Sequence, residues 1–445
     1  MGVVKTFPMG GVHPPENKLT ADSAIQVLDP PSEVAILLGQ HIGAPAEPLV
    51  QKGDTVKVGT LIGEGKAFIS ANVHSSVSGT VKRIDQALDA AGFRKPAVII
   101  SVEGDEWEEH IDRSSTLVTE ITTPPEDIVR RIKTAGIVGM GGAAFPTNVK
   151  YMVPEGKHID TLLINGVECE PYLTADHRLM LEHPQEILVG IEILRRALQV
   201  DRAVVGIELN KPDAIEEMTR HAEQFSNIEV YGLKVQYPQG AEKQLIKAIL
   251  DREVPGGKLP LDVGCVVNNI GTALAAYHQI QKNRPLIDRV VTVTGTSLPN
   301  RGNFLVRIGT PFSHTIEAAG GMPQDVAKVI AGGPMMGKAV PDLSVTVTKG
   351  TSGILLLDKK AAQRHETVAC IRCSKCVTVC PIGLEPYLLE KLARVEYWEQ
   401  ADEHDVLDCI ECGSCSYICP SNRPLLDYIK VGKVKVHEMR RASAS

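Results

Sequence analysis

Cys370-Ile-Arg-Cys373-Ser-Lys-Cys376-Val-Thr-Val-Cys380-Pro381 and Cys409-Ile-Glu-Cys412-Gly-Ser-Cys415-Ser-Tyr-Ile-Cys419-Pro420 contain eight of the ten cysteines of the chain. Each run reads C-x2-C-x2-C-x3-C-P, a spacing that ligates [4Fe–4S] clusters. Three close thiolates wrap one cluster, and in two-cluster domains the fourth, before the proline, ligates the other cluster. The spacing predicts one cluster on Cys370, Cys373, Cys376 and Cys419. It predicts a second on Cys409, Cys412, Cys415 and Cys380. Zinc also accepts four thiolates, but a repeated run ending in Cys-Pro favours iron–sulfur chemistry. Disulfides are disfavoured, because Met1-Gly-Val-Val-Lys-Thr-Phe-Pro has no secretory core. Two adjacent clusters form a path for single electrons, so the remaining chain is expected to supply a donor, an acceptor or a docking site.

The bulk numbers narrow the rest. The chain has 445 residues, enough for about three domains. Hydrophobic content of 43% and charged content of 23% are those of an ordinary soluble globular protein. Net charge is −7 and aromatic content 4%, which argues against a nucleic-acid partner. No apolar run approaches the roughly 18 residues that span a bilayer, so no direct membrane span is expected. The reading is a cytoplasmic protein, or one held at a membrane by other chains.

Along the chain, residues 1–102 read as an arm followed by a barrel. Gly10-Gly-Val-His-Pro-Pro-Glu-Asn-Lys18 is proline-rich and extended. Short β-like runs follow at Glu33–Leu38, Thr55–Val58, Gly79–Ile84 and Ala97–Val102. Their pattern resembles the lipoyl and biotinyl carrier type of barrel sandwich. Carriers need a lysine at a hairpin tip, and the matching Ala71-Asn-Val-His74 has none. His41 and His74 read as structural. Residues 103–125, acidic and then proline-rich, form a linker. Residues 126–285 alternate strands and helices, which predicts an α/β domain with a largely parallel sheet. Residues 286–340 fit a β-grasp module, with one or two more strands at 341–358. Residues 359–430 form a helical two-cluster domain, and Arg440-Arg-Ala-Ser-Ala-Ser445 is expected to fray. The expected fold class is multidomain α/β plus β.

Two loops carry further chemistry. In Gly139-Met-Gly141-Gly142-Ala-Ala-Phe145-Pro146-Thr147 successive glycines let backbone N–H groups approach an anion. Taken alone, the loop reads equally as a phosphate cradle or a tight turn. Asn165-Gly-Val-Glu168-Cys-Glu170-Pro-Tyr172 follows an apolar strand, where parallel sheets display ligand contacts. Its acids would bond sugar hydroxyls or cap the next segment. Cys169 and Cys265 read as buried thiols.

Together these loops resemble the flavin-bearing, NADH-oxidising subunit of respiratory complex I. The glycine loop through Lys150 resembles that family's flavin loop, with Met140 in place of an arginine and Ala144 in place of a glycine. Asn165–Pro171 resembles its Asn-Ala-Asp-Glu-x-Glu-Pro segment. Tyr237-Pro-Gln-Gly240-Ala-Glu242 is similar to its Tyr-x-x-Gly-Glu-Glu, with one acid missing at Ala241. Asn268-Asn269-Ile-Gly-Thr272 resembles its Asn-Asn-Val-Glu-Thr. The resemblance implies non-covalent FMN on Gly139, Gly141, Gly142, Lys150, Asn165, Glu168, Asn268, Asn269 and Thr272. It implies NAD(H) near Phe145, Glu170, Gly240 and Glu242. The 126–285 domain would then be a complex-I-flavin-subunit-like α/β domain.

Over nearly its whole length the chain resembles the C subunits of Rnf electron-transport complexes. The match runs from the Gly-Gly-Val-His-Pro-Pro arm and Gln40-His-Ile-Gly-Ala-Pro-Ala46 through the flavin-type domain and β-grasp to the paired ferredoxin-type runs. That family implies a peripheral subunit on the cytoplasmic face of the membrane, with the other subunits of the complex as partners. Electrons would pass between NAD(H), FMN and two [4Fe–4S] clusters, and reach ferredoxin indirectly. No protein acid or base is expected to be catalytic. The rival readings are a cobalamin reductase of propanediol utilisation and a non-catalytic docking scaffold.

Overall fold

The computed structural model describes residues 4–444, so Met1–Val3 and Ser445 lie outside the described residues. Near the N-terminus, Glu33–Leu37, Arg94–Val102, Gly79–Leu88 and Thr55–Val56 form an antiparallel sheet in that order. A smaller sheet of Glu47–Pro48, Leu61–Glu64 and Val73–His74 completes the sandwich. Val34, Ile36, Val81, Val98 and Ile100 fill its interior, the inward-facing side chains of alternating strands. The segment where carriers expose a lysine is packed away, for residues 71–79 are all buried. Asn72 there accepts from the Gly65 N–H at 3.0 Å and donates to the Thr134 carbonyl at 3.1 Å. His41 is structural as expected, its Nε2 accepting from the Ala71 N–H at 3.0 Å.

The α/β domain centres on a parallel sheet ordered Ile228–Leu233, Arg202–Glu208, Thr161–Asn165, Cys265–Asn269. Both middle strands are nearly continuous apolar runs, as expected of strands covered on two faces. The first strand in sequence lies between the second and the fourth, so the order reverses beside Thr161–Asn165. Asn165 and Asn269 are register partners at the carboxyl ends of the two strands that meet there. Such a switch point opens a crevice where ligands bind. The helices Pro184–Leu198 and Ile270–Lys282 pack together on one face. Close contact is possible because Gly190 faces the Ala273 carbonyl, where a Cβ would stand 2.0 Å away.

The β-grasp sheet is wider than the 286–340 expectation. Its order is Ile25–Val27, Gly302–Arg307, Asp288–Thr294, Gly353–Asp358, Val326–Ala331, Lys338–Ala339. One central strand comes from residues 353–358, and the edge strand comes from the N-terminal arm, parallel to Gly302–Arg307. The C-terminal tail also differs from expectation. The helix Leu425–Ala444 runs through it, because Val436 is buried and Arg440 forks onto Asp402 at 2.7 and 3.0 Å. Among the described residues no helix is long and apolar enough to cross a membrane.

Lys349 ties three of these units together. It is fully buried and donates to the Asn72 carbonyl of the barrel at 2.5 Å and the Gly136 carbonyl of the α/β domain at 2.7 Å. Its own N–H bonds Gln40 Oε1 at 3.0 Å. Gly136 has φ +64 and lies where a Cβ would meet the Asn72 carbonyl at 2.1 Å, so only glycine fits. Burial lowers the Lys349 pKa from 10.5 to about 7. Between those values the unfolded chain holds a proton that the folded chain has released. Stability from this group therefore rises with pH across that window. Lys349→Met is expected to lower stability and to flatten its rise above neutral pH by up to ~1.4 kcal/mol per pH unit. Urea unfolding at a series of pH values checks this.

Candidate nucleotide and iron–sulfur sites

The glycine loop lies against the switch point. The helix Pro125–Thr134 delivers the chain to it, and the loop closes on itself through Gly139 N–H to the Phe145 carbonyl at 2.8 Å. Gly141, Gly142 and Ala143 form an exposed tip. Gly142 has nothing near it, whereas a Cβ on Gly141 would lie 2.6 Å from Asn269 Nδ2. Ala144, where the related flavin loop has glycine, adopts φ +53, a left-handed conformation that glycine takes with less strain.

The fourth strand fixes the loop from below. Thr272 Oγ1 accepts from the Met140 N–H at 3.1 Å and donates to the Val138 carbonyl at 3.2 Å. Asn269 caps the helix Ile270–Lys282, its Oδ1 accepting from the Gly271 N–H at 2.8 Å. Asn269 Nδ2 donates to Asp176 at 2.6 Å. Asn268 Nδ2 donates to Tyr151 Oη at 2.6 Å, and its buried Oδ1 is left without a partner. Asn165 Nδ2 donates to the Gly240 carbonyl at 2.7 Å. Lys150 donates to the Val267 carbonyl at 2.8 Å and lies 3.7 Å from Glu242, the first residue of the helix Glu242–Leu250. The loop, Asn165, Asn268, Asn269 and Thr272 thus share one end of the sheet. A helix N-terminus, glycines free of side chains and an unpaired amide oxygen suit the phosphate and hydroxyls of a nucleotide.

The two acids of the second loop are engaged within the protein. Glu168 accepts from the N–H groups of Asp176 at 2.8 Å and His177 at 3.2 Å, capping the helix Ala175–Glu182. Glu170 Oε1 accepts from the N–H groups of Met335 at 2.6 Å and Met336 at 3.1 Å. Lys18 of the arm closes the back of the loop, donating to the carbonyls of Glu168, Glu170 and Leu173 at 2.7, 3.0 and 2.7 Å. Burial lowers Lys18 to about 8. Two charged residues here escaped the sequence reading. Asp176 is pushed above the usual carboxylate range, first by burial and then by Glu168. Arg289 is lowered by burial, opposed by Asp176 and Glu168, and holds the Met140 carbonyl at 3.1 Å. The polar Asp176 at the start of a helix was a visible signal, whereas Arg289 reads simply as the start of a strand.

The cysteines separate into two groups. Cys380, Cys409, Cys412 and Cys415 line one small, almost wholly apolar recess. Burial pushes Cys409 up to about 11 and Cys415 to about 12 as free thiols. Cys370 and Cys373 are exposed, and Cys376 and Cys419 half-buried. Cys376 is raised by burial and then by Cys419 beside it. Among the described residues no group of three or more His, Cys, Asp or Glu is gathered as tightly as a single metal ion requires.

The buried recess is clamped to the α/β domain. Tyr237 Oη donates to the Cys412 carbonyl at 2.8 Å, and Gln244 Nε2 to the Pro381 carbonyl at 3.1 Å. Gly11 of the arm donates to the Val379 carbonyl at 2.9 Å. Gly10 has φ +76 and would place a Cβ 2.6 Å from the Cys380 carbonyl. Half-buried Cys169 accepts from the Gly240 N–H at 3.4 Å, and buried Cys265 belongs to the sheet core.

A parallel sheet with a glycine loop at its switch point, joined to a doubled cysteine motif, defines a flavin-domain and iron–sulfur electron-transfer protein. The sequence matches the models of the Nuo51 FMN-binding domain over residues 132–278 and the 4Fe-4S dicluster domain over 362–420. It matches the RnfC barrel sandwich hybrid domain over 5–105 and the SLBB domain over 290–339. It is 45% identical to the C subunit of the proton-translocating ferredoxin:NAD(+) oxidoreductase complex of Clostridium ljungdahlii, covering 90% of this chain and 87% of that one. It is 43% identical to the C subunit of the Na(+)-translocating complex of Acetobacterium woodii, covering 97% of each. Identity to the C subunit of the ion-translocating oxidoreductase complex of Rhodobacter capsulatus is 42%, over 96% of this chain and 83% of that one. The chain belongs to the family of C subunits of ion-translocating ferredoxin:NAD(+) oxidoreductase complexes.

Gly141→Ala should drive a methyl group into Asn269 and lower retention of FMN by at least about tenfold, with the fold intact. Flavin released from the purified protein, set beside its circular dichroism, checks this. Tyr237→Phe leaves the buried Cys412 carbonyl without its donor and should cost about 1–3 kcal/mol, read by urea unfolding.

Proposed function

We propose that this chain exchanges electrons between NAD(H), through FMN at the switch point of the α/β sheet, and two [4Fe–4S] clusters. Partner subunits of a membrane complex would couple that flow to ion movement, with this chain peripheral on the cytoplasmic face. The chemistry that FMN supplies when bound is the interchange of hydride with single electrons.

The chain's own residues do the positioning. Gly141 and Gly142 form an exposed tip without side chains, Gly139 closes the loop onto Phe145, and Thr272 ties that loop to the helix that Asn269 caps. Phe145, Lys150, Gly240 and Glu242 border the same end of the sheet, where we place the nicotinamide nucleotide. Glu168 and Glu170 support the reading indirectly, by shaping the loop between the nucleotide end and the cysteine domain. Cys380, Cys409, Cys412 and Cys415 would hold the inner cluster, and Cys370, Cys373, Cys376 and Cys419 the outer one.

One observation carries the proposal. The buried cysteine recess is pinned to the nucleotide domain by Tyr237, Gln244 and the arm, while Cys370 and Cys373 face solvent. Electrons would leave through the exposed set, toward a sibling subunit.

The purified protein should contain roughly eight irons per chain and one non-covalent flavin, and NADH should reduce an artificial acceptor. In Cys373→Ser, NADH should still reduce the flavin and the inner cluster, seen by optical and electron paramagnetic resonance spectra. In Cys412→Ser it should reduce the flavin alone. Clusters without flavin or NADH oxidation would sink the reading and leave a docking scaffold. Reduction of a cobalamin substrate would replace it with a reductase.

A further inference from the structure

Behind the glycine loop lies a cavity of about 450 Å3, within the roughly 300–1,000 Å3 of small-molecule sites. Three units wall it: the linker after the barrel, the helices of the α/β domain, and the first strands of the β-grasp sheet. Its body is apolar, built by Leu179, Leu274, Ala275, Leu286 and Leu305. His278 also lines it and is neutral at physiological pH, because burial and then Arg284 lower it to about 3.

One end of the cavity is rich in arginine. Trp107 lies among three guanidinium groups, with Arg307 at 4.7 Å, Arg113 at 4.8 Å and Arg284 at 5.6 Å from its ring centre. These three arginines share two carboxylates. Asp105 is 3.1 Å from Arg113 and 3.4 Å from Arg307, and Asp288 pairs with Arg284. Asp112 pairs with Lys282, and Glu186, hydrogen-bonded to His183, also faces Arg284. The carboxylates thus balance the cations, and what the arginine end lacks is hydrogen-bond acceptors. Two buried donors here have none, Trp107 Nε1 and Arg307 Nη1. A buried donor without a partner is costly, and an arginine fork matches a planar carboxylate.

We propose that this cavity binds an amphipathic monocarboxylate, with its apolar body along Leu274 and Leu305 and its carboxylate at Arg307 and Trp107. A dianion such as a phosphate monoester fits less well, because Asp112, Glu186 and Asp288 share the lining. An apolar ligand with no acceptor would leave both donors unanswered. Met140 and Gly271 form another part of the wall, so the occupant touches the reverse of the loop that faces the nucleotide.

Calorimetric titration of the full, cofactor-loaded chain with octanoate tests the proposal, with 1-octanol and acetate as controls lacking the charge or the tail. Octanoate is expected to bind at one saturable site at least about tenfold more tightly than either control. Arg307→Gln should weaken it by a similar factor. Ala275→Leu should weaken octanoate by filling the apolar body while leaving the charged end intact, which guards against misfolding of the first variant. The chain has two tryptophans, so in a Trp398→Phe background Trp107 fluorescence should report the same binding curve. No saturable octanoate binding overturns the proposal. So does octanol binding as tightly as octanoate, or affinity unchanged in Arg307→Gln.

Discussion

The hydrogen bond from Tyr237 Oη to the Cys412 carbonyl is the contact on which the working arrangement depends. It forms in a closed apolar environment of Val12, Cys169, Met335, Val379 and Ile418. In such surroundings a polar contact is strong when made and costly when lost. It joins the segment after the third parallel strand to the backbone of a cysteine run. Gln244 and the N-terminal arm reinforce it on either side. The cysteine domain is thereby held in register with the nucleotide end of the sheet instead of swinging on a linker.

The arm is part of the same device. Gly10 and Gly11 pass so close to Cys380 and Gln236 that side chains there would collide with them. Val12 pairs with Tyr237, Lys18 closes the acidic loop, and Ile25–Val27 joins the β-grasp sheet. One extended segment thus touches the cysteine domain, the nucleotide domain and the β-grasp module. Lys349 does comparable work deeper inside, where the barrel, the glycine-loop region and the β-grasp sheet meet. The acids Glu168 and Glu170 belong with these struts. Each accepts two backbone N–H groups, which shapes the loop but leaves less of either carboxylate for a ligand.

Much of this was legible in the residues. Short β-like runs located the barrel strands, and the alternation of strands with helices located the parallel sheet. Those signals are local, set by which faces each strand must bury. The wider β-grasp sheet was not legible, because Ile25–Val27 and Gly353–Asp358 join it across long stretches of chain. The ordered C-terminal helix was missed for a similar reason. Its small and basic residues look like a tail until Arg440 meets Asp402 and Val436 enters a core.

By itself the sequence determined the chemistry of the donors: eight thiols at cluster spacing, a glycine loop, and amides at the ends of parallel strands. Spacing along a chain suffices for that, since ligands within one turn or one loop cannot be far apart. Only the tertiary structure decided which cysteines are sealed against the nucleotide domain and which face solvent. It alone placed Tyr237, Arg289, Lys349 and the arm at the junctions. Those roles rest on contacts between residues hundreds of positions apart, and burial at such contacts has no signature in either partner's local sequence.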